Sequence, residues 1–175
     1  MVSSKNKSAL GPDSAAGKKF GIVVSRYHDE LTTVLLEGAV KTLEGLGARK
    51  DQVFTAWVPG SFEIPLAARA FAQQEVDAII CLGVIIKGET THDKYIAREV
   101  ARGISQIALS SGNPVIFGVL TTQTLEQAQA RCGGAKGNKG VEAAEAAVSM
   151  IQVLDDIKKG GEKQSKSVGF GHFSD

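Results

Sequence analysis

Ala78-Ile79-Ile80-Cys81-Leu82-Gly83-Val84-Ile85-Ile86-Lys87-Gly88-Glu89-Thr90-Thr91-His92 begins as an apolar run and ends in glycine, an acid, two threonines and a histidine. A strand with one wet face alternates polar and apolar residues, whereas a run this uniformly apolar suits a strand covered on both faces, as in parallel sheets. The break falls where a helical pattern begins, so it reads as the carboxyl end of a strand. In open α/β sheets ligands collect there, because helix N-termini aim their free N–H groups at whatever is bound. A histidine in that place can move protons near neutral pH. Equally, Thr90 or Thr91 can cap the helix and leave His92 as a polar first-turn residue.

The same plan recurs on both sides of this stretch. Residues 20–24 are β-branched and apolar, with Leu31, Val34, Leu35, Leu43 and Leu46 near helical spacing behind them and Gly47 as the stop. Residues 53–58 form a second strand leading through Pro59-Gly60-Ser61-Phe62-Glu63-Ile64-Pro65 into an alanine-rich helix that ends near Gln74. The third strand is followed by a helix over 92–110. The fourth, 114–120, is followed by a short helix over 125–131, a glycine loop and a last helix over 140–157. Crossovers of this length return the chain parallel to the same sheet, so the expected fold is α/β, a three-layer α/β/α sandwich around a mainly four-stranded parallel sheet. Residues 1–16, rich in Ser, Lys, Gly and Pro, read as a flexible leader, 17–158 as one domain and 159–175 as a flexible tail.

Composition narrows the function. The chain has 175 residues, and 20 Lys and Arg against 19 Asp and Glu leave a net charge of +1. Nucleic acid is excluded as an expected partner, since backbone binding needs a clustered basic surface. Cys81 lies in an apolar run and Cys132 in a glycine-rich turn, without CxxC or a His/Cys cluster, so neither a disulfide framework nor a zinc site is supported. The apolar segments are strand-length and the first sixteen residues lack a signal-peptide core, which sets the expectation of a soluble cytoplasmic protein with no membrane partner.

Each strand end is followed by unusual residues: Ser25-Arg26-Tyr27-His28, then Pro59 to Glu63, then Lys87 to His92, then Thr121-Thr122-Gln123-Thr124. Together they put aromatic, acidic, hydroxyl and imidazole groups around one crevice, as a small-molecule site requires. Tyr27 is a core residue or a stacking platform. Glu63 complements a helix dipole or accepts from ligand hydroxyls. His28 reads as a surface residue and His172 as a tail residue. Arg131-Cys132-Gly133-Gly134-Ala135-Lys136-Gly137-Asn138-Lys139-Gly140 pairs four glycines with three cations. That suits an anion, or it is an interhelical turn with solvated lysines; the P-loop spacing is missing.

Taken in order, these segments, with 114–122 and Leu125-Glu126-Gln127-Ala128, resemble the lumazine synthase family over residues 18–155. The resemblance implies a flavodoxin-like fold and a transferase of riboflavin biosynthesis. Its reaction condenses 5-amino-6-(D-ribitylamino)uracil with 3,4-dihydroxy-2-butanone 4-phosphate, releasing 6,7-dimethyl-8-ribityllumazine, phosphate and water, with no metal or organic cofactor. By position, Tyr27 stacks on the pyrimidine; Ser61, Phe62 and Glu63 hold the ribityl chain and ring edge; Val84, Ile85, Ile86 and Phe117 line the pocket. Glu89, Thr90 and Arg131 hold the butanone phosphate, His92 transfers protons and Lys139 stands nearby. The resemblance further implies a homo-oligomer, a pentamer or an icosahedral 60-mer with sites shared between subunits, and riboflavin synthase as a further partner. A non-catalytic riboflavin or lumazine carrier is the alternative, though it has no use for a phosphate arginine. The chain departs from the family at Tyr27 (usually Phe or Trp), His28 (often Asn) and Asp93-Lys94, where an aromatic and then an acid are usual.

Overall fold

In the computed structural model, residues 10–167 are described, with side chains to residue 160. The chain runs β1 (Phe20–Ser25), α1 (Asp29–Gly45), β2 (Val53–Val58), α2 (Ile64–Ala72), β3 (Ala78–Ile86), α3 (His92–Ser111), β4 (Val115–Thr122), α4 (Leu125–Arg131), β5 (Cys132–Gly134), β6 (Gly137–Asn138) and α5 (Lys139–Ser167). Strands β2-β1-β3-β4 lie side by side in that order, all parallel, with Val24 opposite Leu82 and Leu82 opposite Gly118.

Pleating sorts the strand residues into two cores. Phe20, Ile22 and Val24 of β1, with Ile80, Leu82 and Val84 of β3, pack under Leu35, Ala39 and Leu43 of α1 and Ala143, Ala144, Ala147 and Val148 of α5. Val23, Ile79, Cys81, Ile85 and Val119 face the other way, onto Ile64 and Ala68 of α2 and Val100, Ile104 and Ile107 of α3. The sheet is therefore covered on both faces, which is why β3 and residues 20–24 of β1 carry no polar side chain. The α/β three-layer reading holds.

Helix ends follow local chemistry. Asp29 and Glu30 in the first turn of α1 complement its dipole, and Gly47 (φ 96°) and Gly112 (φ 73°) take the left-handed conformation just past α1 and α3. Thr124 caps α4 by accepting from the Gln127 N–H at 3.3 Å. Among the described residues no helix is long and apolar enough to cross a membrane.

Chain direction decides where a site forms. From β1 the chain runs out to β2 on one side, then returns past β1 to β3 on the other. The carboxyl ends of β1 and β3 thus flank the point where connections diverge, and a crevice opens there.

Three expectations need correction. Part of the leader is tied down: Ala15 is fully buried, its N–H donates to the Leu46 carbonyl at 2.7 Å, and Leu10 packs on the core beside it. Consecutive turns over 11–18 (Ser14 N–H to Gly11 O, Ala16 N–H to Asp13 O, Lys18 N–H to Ala15 O) present two apolar groups that an average over 1–16 conceals. The last helix does not end at Ile157 but continues to Ser167, since no proline interrupts 158–167 and each further residue adds one hydrogen bond to an existing helix. The glycine loop is a small antiparallel hairpin, β5 with β6. The remainder of the leader, 1–9, and of the tail, 168–175 with His172, lie outside the described residues.

Candidate active site

A cleft of about 330 Å³ opens at the β1/β3 crevice, lined by Tyr27, His28, residues 60–63, residues 84–86, His92, Asp93 and Ile96. Its first wall is the turn after β1. The buried Thr32 hydroxyl donates to the Ser25 carbonyl (2.8 Å), the Ser25 hydroxyl donates to the Tyr27 carbonyl (3.2 Å), and the Arg26 N–H donates to Val58 O (2.8 Å). So pinned, the turn leaves Tyr27 69% exposed, open to stack on a planar ring. His28 meets it edge-on, with centroids 4.8 Å apart, and is held at φ 62°, an uncommon conformation outside glycine. His28 is thus a half-buried cleft residue and not the plain surface residue expected; its unusual backbone conformation carried no signal in sequence.

The second wall is a single 3₁₀ turn, Ser61–Glu63. Glu63 accepts the Gly60 N–H at 2.9 Å, so its carboxylate fixes the loop while also facing the cleft. The loop lies flat on β3 because Gly83 has no side chain: a Cβ there would come within 2.8 Å of Ser61 Oγ and 3.0 Å of Ile64 Cδ1. Ser61 is buried, and its hydroxyl has no hydrogen-bond partner among the described residues.

The third wall follows β3. The Lys87 N–H donates to the Thr122 carbonyl (2.9 Å), extending the β3/β4 pairing to the rim. The chain then turns through 88–91 into α3. Thr91 occupies the capping position without making a side-chain cap, and Thr90 Oγ1 instead hydrogen-bonds His92 Nδ1. With Nδ1 engaged, Nε2 is the ring atom left for proton transfer. The following Asp93 is buried, its Oδ1 has no partner among the described residues, and no hydrogen bond joins it to the imidazole. Asp93 and Ile96 went unnoticed as cleft residues in the sequence; i, i+1 and i+4 spacing from His92 is their only trace.

Other expected site residues do not line this cleft. Glu89 and Thr90 stand exposed on the rim turn, Phe117 is 38% exposed on the edge strand β4, and Arg131 is exposed at the end of α4. Lys139 pairs with Glu142 at 2.8 Å. In the hairpin, Gly133 and Gly137 have φ of 91° and 82°, while Asn138 donates to Val34 O (3.0 Å) and accepts from Gly140 N–H (2.8 Å). These glycines serve turn geometry, and Lys136 and Arg131 remain exposed.

Neither cysteine is poised as a nucleophile. Burial pushes the Cys132 thiol up to about 11 and the wholly buried Cys81 thiol higher still, so both stay protonated at neutral pH. Among the described residues no group of three or more His, Cys, Asp or Glu side chains is arranged to hold a metal ion.

Compared with known proteins, residues 17–155 match the sequence profile of the 6,7-dimethyl-8-ribityllumazine synthase family. The chain is also 46% identical over 147 residues to the enzymes of that name from two strains of Thermus thermophilus, covering 83% of this chain and 94% of theirs. It belongs to the lumazine synthase family. Membership makes it a transferase of riboflavin biosynthesis and agrees with the parallel α/β sheet. The matched region contains every lumazine synthase segment named above, from the Tyr27 turn to the β5/β6 hairpin.

Proposed function

We propose that this chain joins 5-amino-6-(D-ribitylamino)uracil to 3,4-dihydroxy-2-butanone 4-phosphate in the cleft between β1 and β3. The observation that carries the reading is the family match over 17–155 combined with a cleft that brings Tyr27, Ser61, Glu63 and His92 together at the strand ends. Tyr27 offers a face for the uracil ring, and residues 84–86 offer backbone and an apolar wall. Ser61 and Glu63 offer polar atoms to a ribityl chain. His92 Nε2 exchanges protons as the substrate amine condenses with the butanone carbonyl, as phosphate leaves and as the ring closes with loss of water. Holding two substrates in register supplies much of the acceleration. General acid–base work adds about 10²–10⁴-fold.

The phosphate side of the site belongs, on this reading, to a neighbouring subunit. Arg131 is unpaired among the described residues, and its fork suits a phosphate bidentately. Neither it nor Phe117 faces the cleft of its own chain. A ring in which β4 and α4 of one copy close the cleft of the next unites both halves, with Glu89 and Thr90 on the rim between them. The exposed Leu66 (76%) and Leu109 (85%), on the outer faces of α2 and α3, supply apolar surface for such an interface. A head-to-tail contact of this kind closes into a ring, here a pentamer, and the compact hairpin over 132–138, free of insertions, favours assembly of pentamers into a shell.

A steady-state assay with both substrates tests the activity, following the fluorescence of the lumazine formed. Turnover supports the reading. A pure protein that binds riboflavin yet forms no lumazine overturns it in favour of a carrier.

A further inference from the structure

Two residues of the cleft wall, each 6% exposed, carry a buried polar atom with no partner among the described residues: Ser61 Oγ and Asp93 Oδ1. Both residues line the same 330 Å³ space, beside the apolar Val84, Ile85 and Ile96. A buried acceptor left unmatched is unfavourable and is rare in folded proteins, so such a pair in a cleft points to a ligand that completes it. The charge of Asp93 in the first turn of α3 suits that helix's dipole, but the dipole supplies no hydrogen-bond donor to Oδ1. Asp93 does not cap α3, and the neighbouring imidazole is hydrogen-bonded to Thr90. A carboxylate oxygen accepts hydrogen bonds, so the missing group is a donor.

We propose that Asp93 is a specificity-determining residue that accepts from the amino N–H groups of the diaminouracil substrate, with Ser61 beside it, and thereby separates that substrate from the product. The proposal rests on the lumazine-forming reading. The substrate carries N–H groups on both vicinal nitrogens, the 5-amino group and the ribitylamino group. Condensation removes these hydrogens in the water released. One nitrogen becomes a ring acceptor and the other becomes fully substituted. Asp93 therefore meets donors before the reaction and none afterwards, so its carboxylate holds the substrate and loosens the product. Sites built to hydrogen-bond a substrate N–H discriminate strongly against the analogue that lacks it, because their own polar groups are then stranded.

The test measures equilibrium binding of the diaminouracil and of 6,7-dimethyl-8-ribityllumazine to the assembled full-length wild type, Asp93→Asn and Asp93→Ser, without the butanone phosphate. Expected is a loss of about tenfold in diaminouracil affinity for Asp93→Asn, with product affinity unchanged or raised and an unchanged KM for butanone phosphate. Asp93→Ser carries the same contrast should the amide disturb assembly. Equal losses for both ligands, or no change in either with only a shift in Tm, overturn the proposal and make Asp93 a structural residue. A wild type that makes no lumazine overturns the function instead, and leaves the binding contrast to be read by itself.

Discussion

His92 owes its place to two short-range facts: a turn that ends β3, and a threonine hydroxyl two residues back that holds Nδ1. His92→Ala should lower kcat by about 10²-fold, the low end of general acid–base catalysis, while leaving substrate affinity nearly unchanged, because register is kept by other residues. Unaltered turnover across the neutral pH range would remove it from the mechanism. Arg131→Ala should weaken the butanone phosphate by about 10- to 100-fold, as expected for a lost charge-assisted bond, while product binding holds. Equal loss for both ligands counts against a phosphate role. Cys132, 8% exposed, should resist alkylation of the native protein at pH 8 and react on unfolding. Its thiol ionises near 9 ordinarily and near 11 in the fold. The folded value is the higher, so this contribution to stability is whole below about pH 9 and is lost between about 9 and 11. A thermal melting series across that window reads it; Cys132→Ala should flatten the decline.

At the scale of elements, the fold depends on how closely α5 and the hairpin approach α1. A Cβ at Gly140 would overlap the Leu35 carbonyl, and one at Gly38 would fall 2.6 Å from Asn138 Nδ2. The first neighbour is backbone and cannot step aside. Gly140→Ala should therefore cost about 1–3 kcal/mol or more, the range for overpacking, despite alanine being the better helix former. A Tm equal to wild type would show that α5 can slide. The same junction orients α4, so Gly140→Ala should also raise the KM for butanone phosphate through Arg131.

For the whole molecule, the separation of Arg131 and Phe117 from the cleft of their own chain makes a strong demand. If sites are shared, active protein has a mass of at least five times the 18.4 kDa chain, and light scattering gives that directly. A complementation experiment goes further. Denatured His92→Ala and Arg131→Ala chains refolded together should, at butanone phosphate well below saturation, exceed the average activity of the two variants, since mixed rings contain some interfaces with both residues intact. Active monomer, or a mixture with only the average of the two parents, refutes the shared site.

The sequence by itself determined the layering. Apolar runs at 20–24 and 78–86 were long enough to require cover on both faces, and the glycine and threonine punctuation after them marked the strand ends, so four parallel strands and Tyr27, residues 61–63 and His92 on one side were legible residue by residue. These are local signals: periodicity, caps and turn formers act within a few positions. Strand order is different, because β2-β1-β3-β4 depends on which edges meet, and only that order brings the β1 and β3 ends together. The same holds for Ala15, buried with its N–H on the Leu46 carbonyl, for the half-buried Leu10, for His28, and for Asp93, whose type suggests a wet surface and whose position puts it inside. Burial is a property of what lies opposite in space, and no window of sequence contains both sides.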